Sequence, residues 1–68
     1  MKYFRVYLID GEYIEIGTDA VDKEGRLFVT ANNSLAGDWV ENADSSADRK
    51  YIGRIDINWN NVMFIQKL

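Results

Sequence analysis

At 68 residues the chain has room for one small domain spanning 1–68, and the absence of Cys and His removes disulfides and the commonest metal ligands as devices for stabilising it. The net charge of −3 is unevenly spread: residues 10–48 hold ten of the eleven acids against Lys23 and Arg26, a balance of −8, whereas the flanks carry +5. An acidic middle between weakly basic ends lacks the clustered basic face that duplex DNA requires, so duplex DNA is excluded as the expected partner.

The opening MKYFRVYLID alternates charged and apolar groups, unlike the apolar centre of a signal peptide. No apolar run reaches the roughly 20 residues of a membrane span. The expected location is therefore the cytoplasm, away from membranes. For so small a chain without a disulfide or metal, self-association is the remaining stabilising device, and a homo-oligomer is expected.

The first elements are a pair of strands. Phe4-Arg5-Val6-Tyr7-Leu8 and Tyr13-Ile14-Glu15-Ile16 alternate with period two around Asp10-Gly11, a hairpin signal. A two-residue loop would set Val6 against Glu15 and Arg5 against Ile16, mixing charge with core. A three-residue loop, Ile9-Asp10-Gly11, with Gly11 left-handed, pairs Phe4 with Ile16, Val6 with Ile14 and Leu8 with Glu12 on one face. Arg5 then meets Glu15 and Tyr7 meets Tyr13 on the other, and this register is preferred because it segregates one apolar face.

Asp22-Lys23-Glu24-Gly25 reads as a turn into a third strand, Arg26–Ala31, ended by Asn32-Asn33-Ser34. Leu35–Glu41 fits a short strand or an irregular connection equally well. Asn42–Lys50 has no large apolar residue and reads as a solvated, mobile loop. Lys50–Ile57 alternates again, placing Tyr51, Ile55 and Ile57 on one face with Gly53, and Val62–Leu68 forms a last strand. Phe4, Phe28 and Phe64 are expected to centre the core. The sum is an all-β fold, a small single-domain barrel or strongly bent antiparallel sheet of four to six short strands.

Gly53, Ile55, Asn58 and Trp59 fall at the spacing of the closing segment of Src-homology-3-like barrels, which residues 53–59 resemble. The family's proline falls on Asp56 and its following valine on Asn60. The resemblance implies a tight helical turn before the last strand. It also implies a groove for proline-rich peptides, with Trp59 where the family's groove tyrosine stands. Sm-like and oligonucleotide-binding barrels match the strand count as well.

Catalytic machinery is not expected. Ser34, Ser45 and Ser46 lie in polar segments without a histidine to activate them, and Glu12 and Glu15 point to opposite strand faces. Asp19, Asp22 and Glu24 lack the spacing of a calcium loop and read as a solvated acidic turn. The five glycines are dispersed, so no phosphate loop and no cofactor is indicated. The aromatic residues carry the functional expectation, since Tyr and Trp dominate binding hot spots. Tyr7, Tyr13, Trp39 and Trp59, with Arg5 and Glu15, are the candidate partner-binding residues. The primary expectation is a non-enzymatic interaction module that binds a protein partner of unknown identity, as a regulator or inhibitor. The alternatives are an oligomer sequestering a small ligand near Asn58, Asn60 and Asn61, and single-stranded nucleic-acid binding on the exposed rings.

Overall fold

A computed structural model describes all residues from 1 to 68 and forms five antiparallel strands in one sheet. The strands are β1 (Lys2–Leu8), β2 (Tyr13–Thr18), β3 (Ser34–Glu41), β4 (Lys50–Asn58) and β5 (Val62–Lys67), in spatial order β4-β3-β2-β1-β5. A single 3-10 turn, Trp59–Asn61, links β4 to β5, and the Asn58 side chain caps it by accepting from the Asn60 N–H at 2.9 Å.

The first hairpin has the register that segregates its faces: Phe4 opposes Ile16, Arg5 opposes Glu15, Val6 opposes Ile14 and Tyr7 opposes Tyr13. Its loop closes with Leu8 N–H on the Glu12 carbonyl, and Gly11 takes φ 91°, a conformation glycine adopts without steric cost. Asp10 adds an acceptor for the Glu12 N–H at 2.9 Å.

The core lies on one face. Phe4 and Val6 of β1, Ile16 of β2, Leu35 of β3 and Ile57 of β4 form its buried centre, with Val62 and Ile65 of β5 packed against them. Strands lie roughly 4.8 Å apart, so the two edge strands of a flat five-stranded sheet would stand about 19 Å from each other. Here the five cluster residues, drawn from β1 to β4, are only 0–5% exposed although there is no second sheet or long helix to cover them, so the sheet bends strongly over its own core face and Leu27 and Val29 complete the cover. No ladder joins β4 to β5, so the sheet stays open.

Several sequence expectations change. Leu35–Glu41, open between a strand and a connection, lies within β3, an interior strand between β4 and β2. Arg26–Ala31 is not a strand: its only bridge joins Leu27 to Val21, and the segment lies as a flap whose Leu27 and Val29 pack on the core. Phe28 and Phe64 are each 52% exposed, leaving Phe4 as the one phenylalanine in the core. Tyr51 does not share a face with Ile55 and Ile57. The register passes from Trp39↔Gly53 to Val40↔Tyr51, so Ile52 is an extra residue and the alternation inverts beyond it.

The flap begins at an acidic turn. Asp22 Oδ1 accepts from the Glu24 and Arg26 N–H groups, each at 2.9 Å. The Arg26 N–H above all, then the Glu24 N–H and the Arg26 guanidinium, hold the Asp22 carboxyl below its ordinary value of 3.8. A depressed folded pKa means that the contribution to stability is fully present above 3.8 and is lost as the pH falls through the lower folded value. Amide NMR is expected to show the Glu24 and Arg26 signals moving with acid below that point, and Asp22→Asn should abolish the movement. The same titration in the variant would refute the assignment.

Candidate functional site

The second face of the sheet, opposite the core, is organised in rows that the strand registers dictate. Tyr3, Gly17, Asp38 and Arg54 form one row; Gln66, Arg5, Glu15, Val40 and Tyr51 form the next; Phe64, Tyr7 and Tyr13 form the third.

The middle of the first two rows, at Tyr3, Gly17, Glu15 and Val40, is covered from within the chain, while Arg54, Tyr51 and Gln66 at their ends are exposed. The loop 42–49, expected to be solvated, is tied down on them. Asn42 turns the chain off β3 with φ 55°, a left-handed conformation that asparagine tolerates. Ala43, 1% exposed, donates its N–H to Glu15 Oε1 at 3.1 Å. Arg49 donates to the Ala43 carbonyl at 2.8 and 3.2 Å and stacks on the Tyr3 ring, 3.8 Å from its centroid. The Tyr3 ring in turn lies over Gly17, where a Cβ would come within 2.7 Å of it. A loop of small and polar residues is thus fixed by two charged groups, Glu15 below and Arg49 above.

Glu15 is buried and meets Arg5 through two hydrogen bonds to its other oxygen, at 2.9 and 2.7 Å. These bonds, first among the causes, hold the Arg5 guanidinium protonated well above its ordinary range. Arg5 and Glu15 were candidates for partner contact, and the structure engages both of them inside the domain.

The third row is uncovered. Tyr7 stacks on Phe64 with centroids 4.4 Å apart and meets Tyr13 at 5.7 Å. Tyr13 is 53% exposed, and the Arg5 guanidinium sits 4.9 Å from its centroid. The Tyr7 hydroxyl reaches Gln66 Oε1 at 3.3 Å. At the end of this row the sheet splits. The β2–β3 ladder stops at Glu15↔Val40, and beyond it lies a shallow notch of about 210 Å³ lined by Tyr13, Ile14, Glu15, Trp39, Val40, Glu41 and Asn42. The notch brings Trp39 and Tyr13 to one surface from opposite sides of the sheet.

Trp59, 40% exposed, stands apart from this surface and lines neither depression. The same holds for Asn58, Asn60 and Asn61. Asn58 spends its side-chain oxygen on the cap, and the Asn61 carbonyl accepts from Ile9 at 2.9 Å. Phe64 is the member that sequence reasoning missed, having been assigned to the core. A second depression, about 300 Å³ between the flap and β5, is lined by Phe4, Glu24, Gly25, Arg26, Leu27, Ile65 and Lys67, and nothing in the sequence pattern marked it. No group of three or more acids converges as a cation site, and no helix is long and apolar enough to cross a membrane.

The geometry defines the class: a small all-β domain with an open, strongly bent sheet and an exposed aromatic row. Comparison with protein-family models, with curated proteins and with solved structures returns no match for this chain.

Proposed function

We propose that this chain is a non-enzymatic binding module that engages a protein partner through Phe64, Tyr7, Tyr13 and the adjoining Trp39 notch, and that it regulates or inhibits that partner. The carrying observation is selective coverage. A loop of the chain itself covers the middle of the second face, over Tyr3 and Glu15, while the row holding Tyr13 and Phe64 stays half exposed and gathers three contiguous rings. Contiguous aromatic rings with hydroxyl tips are what protein interfaces use as anchors. In this reading Arg5 and Glu15 are supports: Arg5 braces the Tyr13 ring and Glu15 fixes Arg5. The fold-level resemblance to Src-homology-3-like barrels is consistent with a binding module and is supported by the 3-10 turn before β5. Its proline-rich-peptide groove has less behind it, because Trp59 lines no depression.

The test is capture by the immobilised chain, compared with Tyr13→Ser/Phe64→Ser. Both side chains are about half exposed, so each substitution should change stability by less than about 1 kcal/mol. Loss of an aromatic anchor should weaken a true partner by about tenfold or more. A protein retained by the wild type and lost by the folded double variant is the expected result. Identical capture by both forms, or capture that collapses with modest salt and follows added single-stranded nucleic acid, would replace this reading.

A further inference from the structure

The rows of the second face end at β4, and there the sheet has an unpaired edge. Beyond its ladder with β3, the backbone of residues 50–57 makes no hydrogen bond. Of the usual protections of an edge, proline is absent, the one irregularity is the extra residue Ile52, and the two charges beyond that bulge, Arg54 and Asp56, are of opposite sign. We propose that residues 53–57 pair antiparallel with the same segment of a second copy of this chain, across a two-fold axis at Ile55.

Self-complementary charge on this edge favours a second copy as the occupant. Arg54 and Asp56 flank Ile55 and point to one face. An axis at Ile55 sets Arg54 opposite Asp56 of the second copy, and symmetry repeats the pair. Only alternate residues of an edge strand direct their N–H and C=O groups outward, so symmetric registers differ by moving the axis a whole residue. An axis at Arg54 opposes two guanidiniums, one at Asp56 opposes two carboxylates, and one at Gly53 carries the pairing across the Ile52 bulge. The Ile55 register therefore places unlike charges together where its neighbours do not.

The isolated chain is already prepared for it. Arg54 bonds Asp38 across β3–β4 at 3.1 Å and stays 67% exposed, so it can take a second carboxylate. Asp56 is exposed opposite Ala36 and belongs to none of the chain's ion pairs. The other open edge, β5, has Lys67 as its single charge, which sets no register. This contact lies at a different edge from the Phe64 row, so the two surfaces act independently.

Light scattering on the full chain, diluted from about 1 mM to about 1 μM, should show twice the 7.9 kDa chain mass giving way to the single mass. Arg54→Asp and Asp56→Arg each turn both cross-axis pairs into like charges. Each alone should weaken dimerisation by about 30-fold or more. An equimolar mixture of the two restores unlike pairs at every position and should recover the dimer mass. Should Arg54→Asp not fold beside Asp38, two measurements decide instead: the mass of Asp56→Arg, and slowed amide exchange at 53–57 in concentrated wild type. A wild type monomeric throughout, variants that dimerise like the wild type, a folded mixture that stays monomeric, or masses growing past two copies would each overturn the proposal.

Discussion

Leu35→Ala is expected to remove most of the domain's stability, even though Leu35 sits in a segment with two small neighbours, Ala36 and Gly37. Leu35 is 1% exposed and is among the largest fully buried side chains, with Ile16 and Val6. Deleting a buried leucine costs about 2–5 kcal/mol, through lost transfer energy and the cavity left behind. A core in so short a chain supplies roughly 3–5 kcal/mol in total. Collapse around the gap is restricted, because Leu35 lies on an interior strand paired on both sides and belongs to a cluster that every strand of the sheet packs into. Urea denaturation of the variant should therefore show a chain at or near its midpoint without denaturant. Met63→Ala, at a side chain 57% exposed, should stay within about 0.5 kcal/mol of the wild type. Equal, small shifts for both would mean that residues 35–41 are peripheral and the core lies elsewhere.

That contrast also marks where sequence reading reaches its limit. The β1–β2 hairpin is legible because everything that sets it is local: alternation in both strands, Asp10-Gly11 between them, and a single loop length that keeps Arg5 with Glu15 and Val6 with Ile14. The flap Arg26–Thr30 alternates just as cleanly, since Leu27 and Val29 face the core while Phe28 and Thr30 do not. Alternation reports one buried side and is silent about whether a ladder forms. Phe64 and Tyr51 fail for a different reason. Each lies just beyond a bulge, with Met63 the extra residue in β5 and Ile52 in β4, so each is inverted relative to the simple period. Bulges are set by the partner strand, which a single-chain pattern does not contain.

β3 was ambiguous because Ala36 and Gly37 are poor strand residues. Gly37 is nevertheless suited to its place, since a Cβ there would stand 3.1 Å from the Gly17 carbonyl oxygen. The close approach of β2 and β3 favours a residue with no side chain. The aromatic row became a site only through two non-local facts: the inversion that brings Phe64 beside Tyr7, and the docking of the 42–49 loop elsewhere on the face. Neither has a signature in spacing.

The docking of that loop leads to the second large effect. Glu15→Ala is expected to destabilise the domain by about 2–4 kcal/mol and to release the 42–49 loop. One oxygen of Glu15 receives the Ala43 N–H and the other receives Arg5, so the substitution orphans a buried donor and leaves the guanidinium only the more distant, exposed Asp44 at 3.9 Å as counter-charge. Glu15→Gln separates the two. The amide oxygen can still accept from Ala43, so the loop should stay docked while the charge pairing with Arg5 is lost, at a smaller cost. Hydrogen exchange is the discriminating measurement. In Glu15→Ala, the Ala43 amide should lose protection, and the Arg49–Tyr3 contact should open with it, because Arg49 is anchored on the Ala43 carbonyl. In Glu15→Gln the Ala43 amide should remain protected. Tyr13 rests against Arg5, so loosening of Arg5 should also reach the aromatic row and weaken partner capture more in the alanine variant than in the glutamine one. Unchanged protection of Ala43 in Glu15→Ala would show that the loop holds itself, and would separate the structural pair from the binding surface above it.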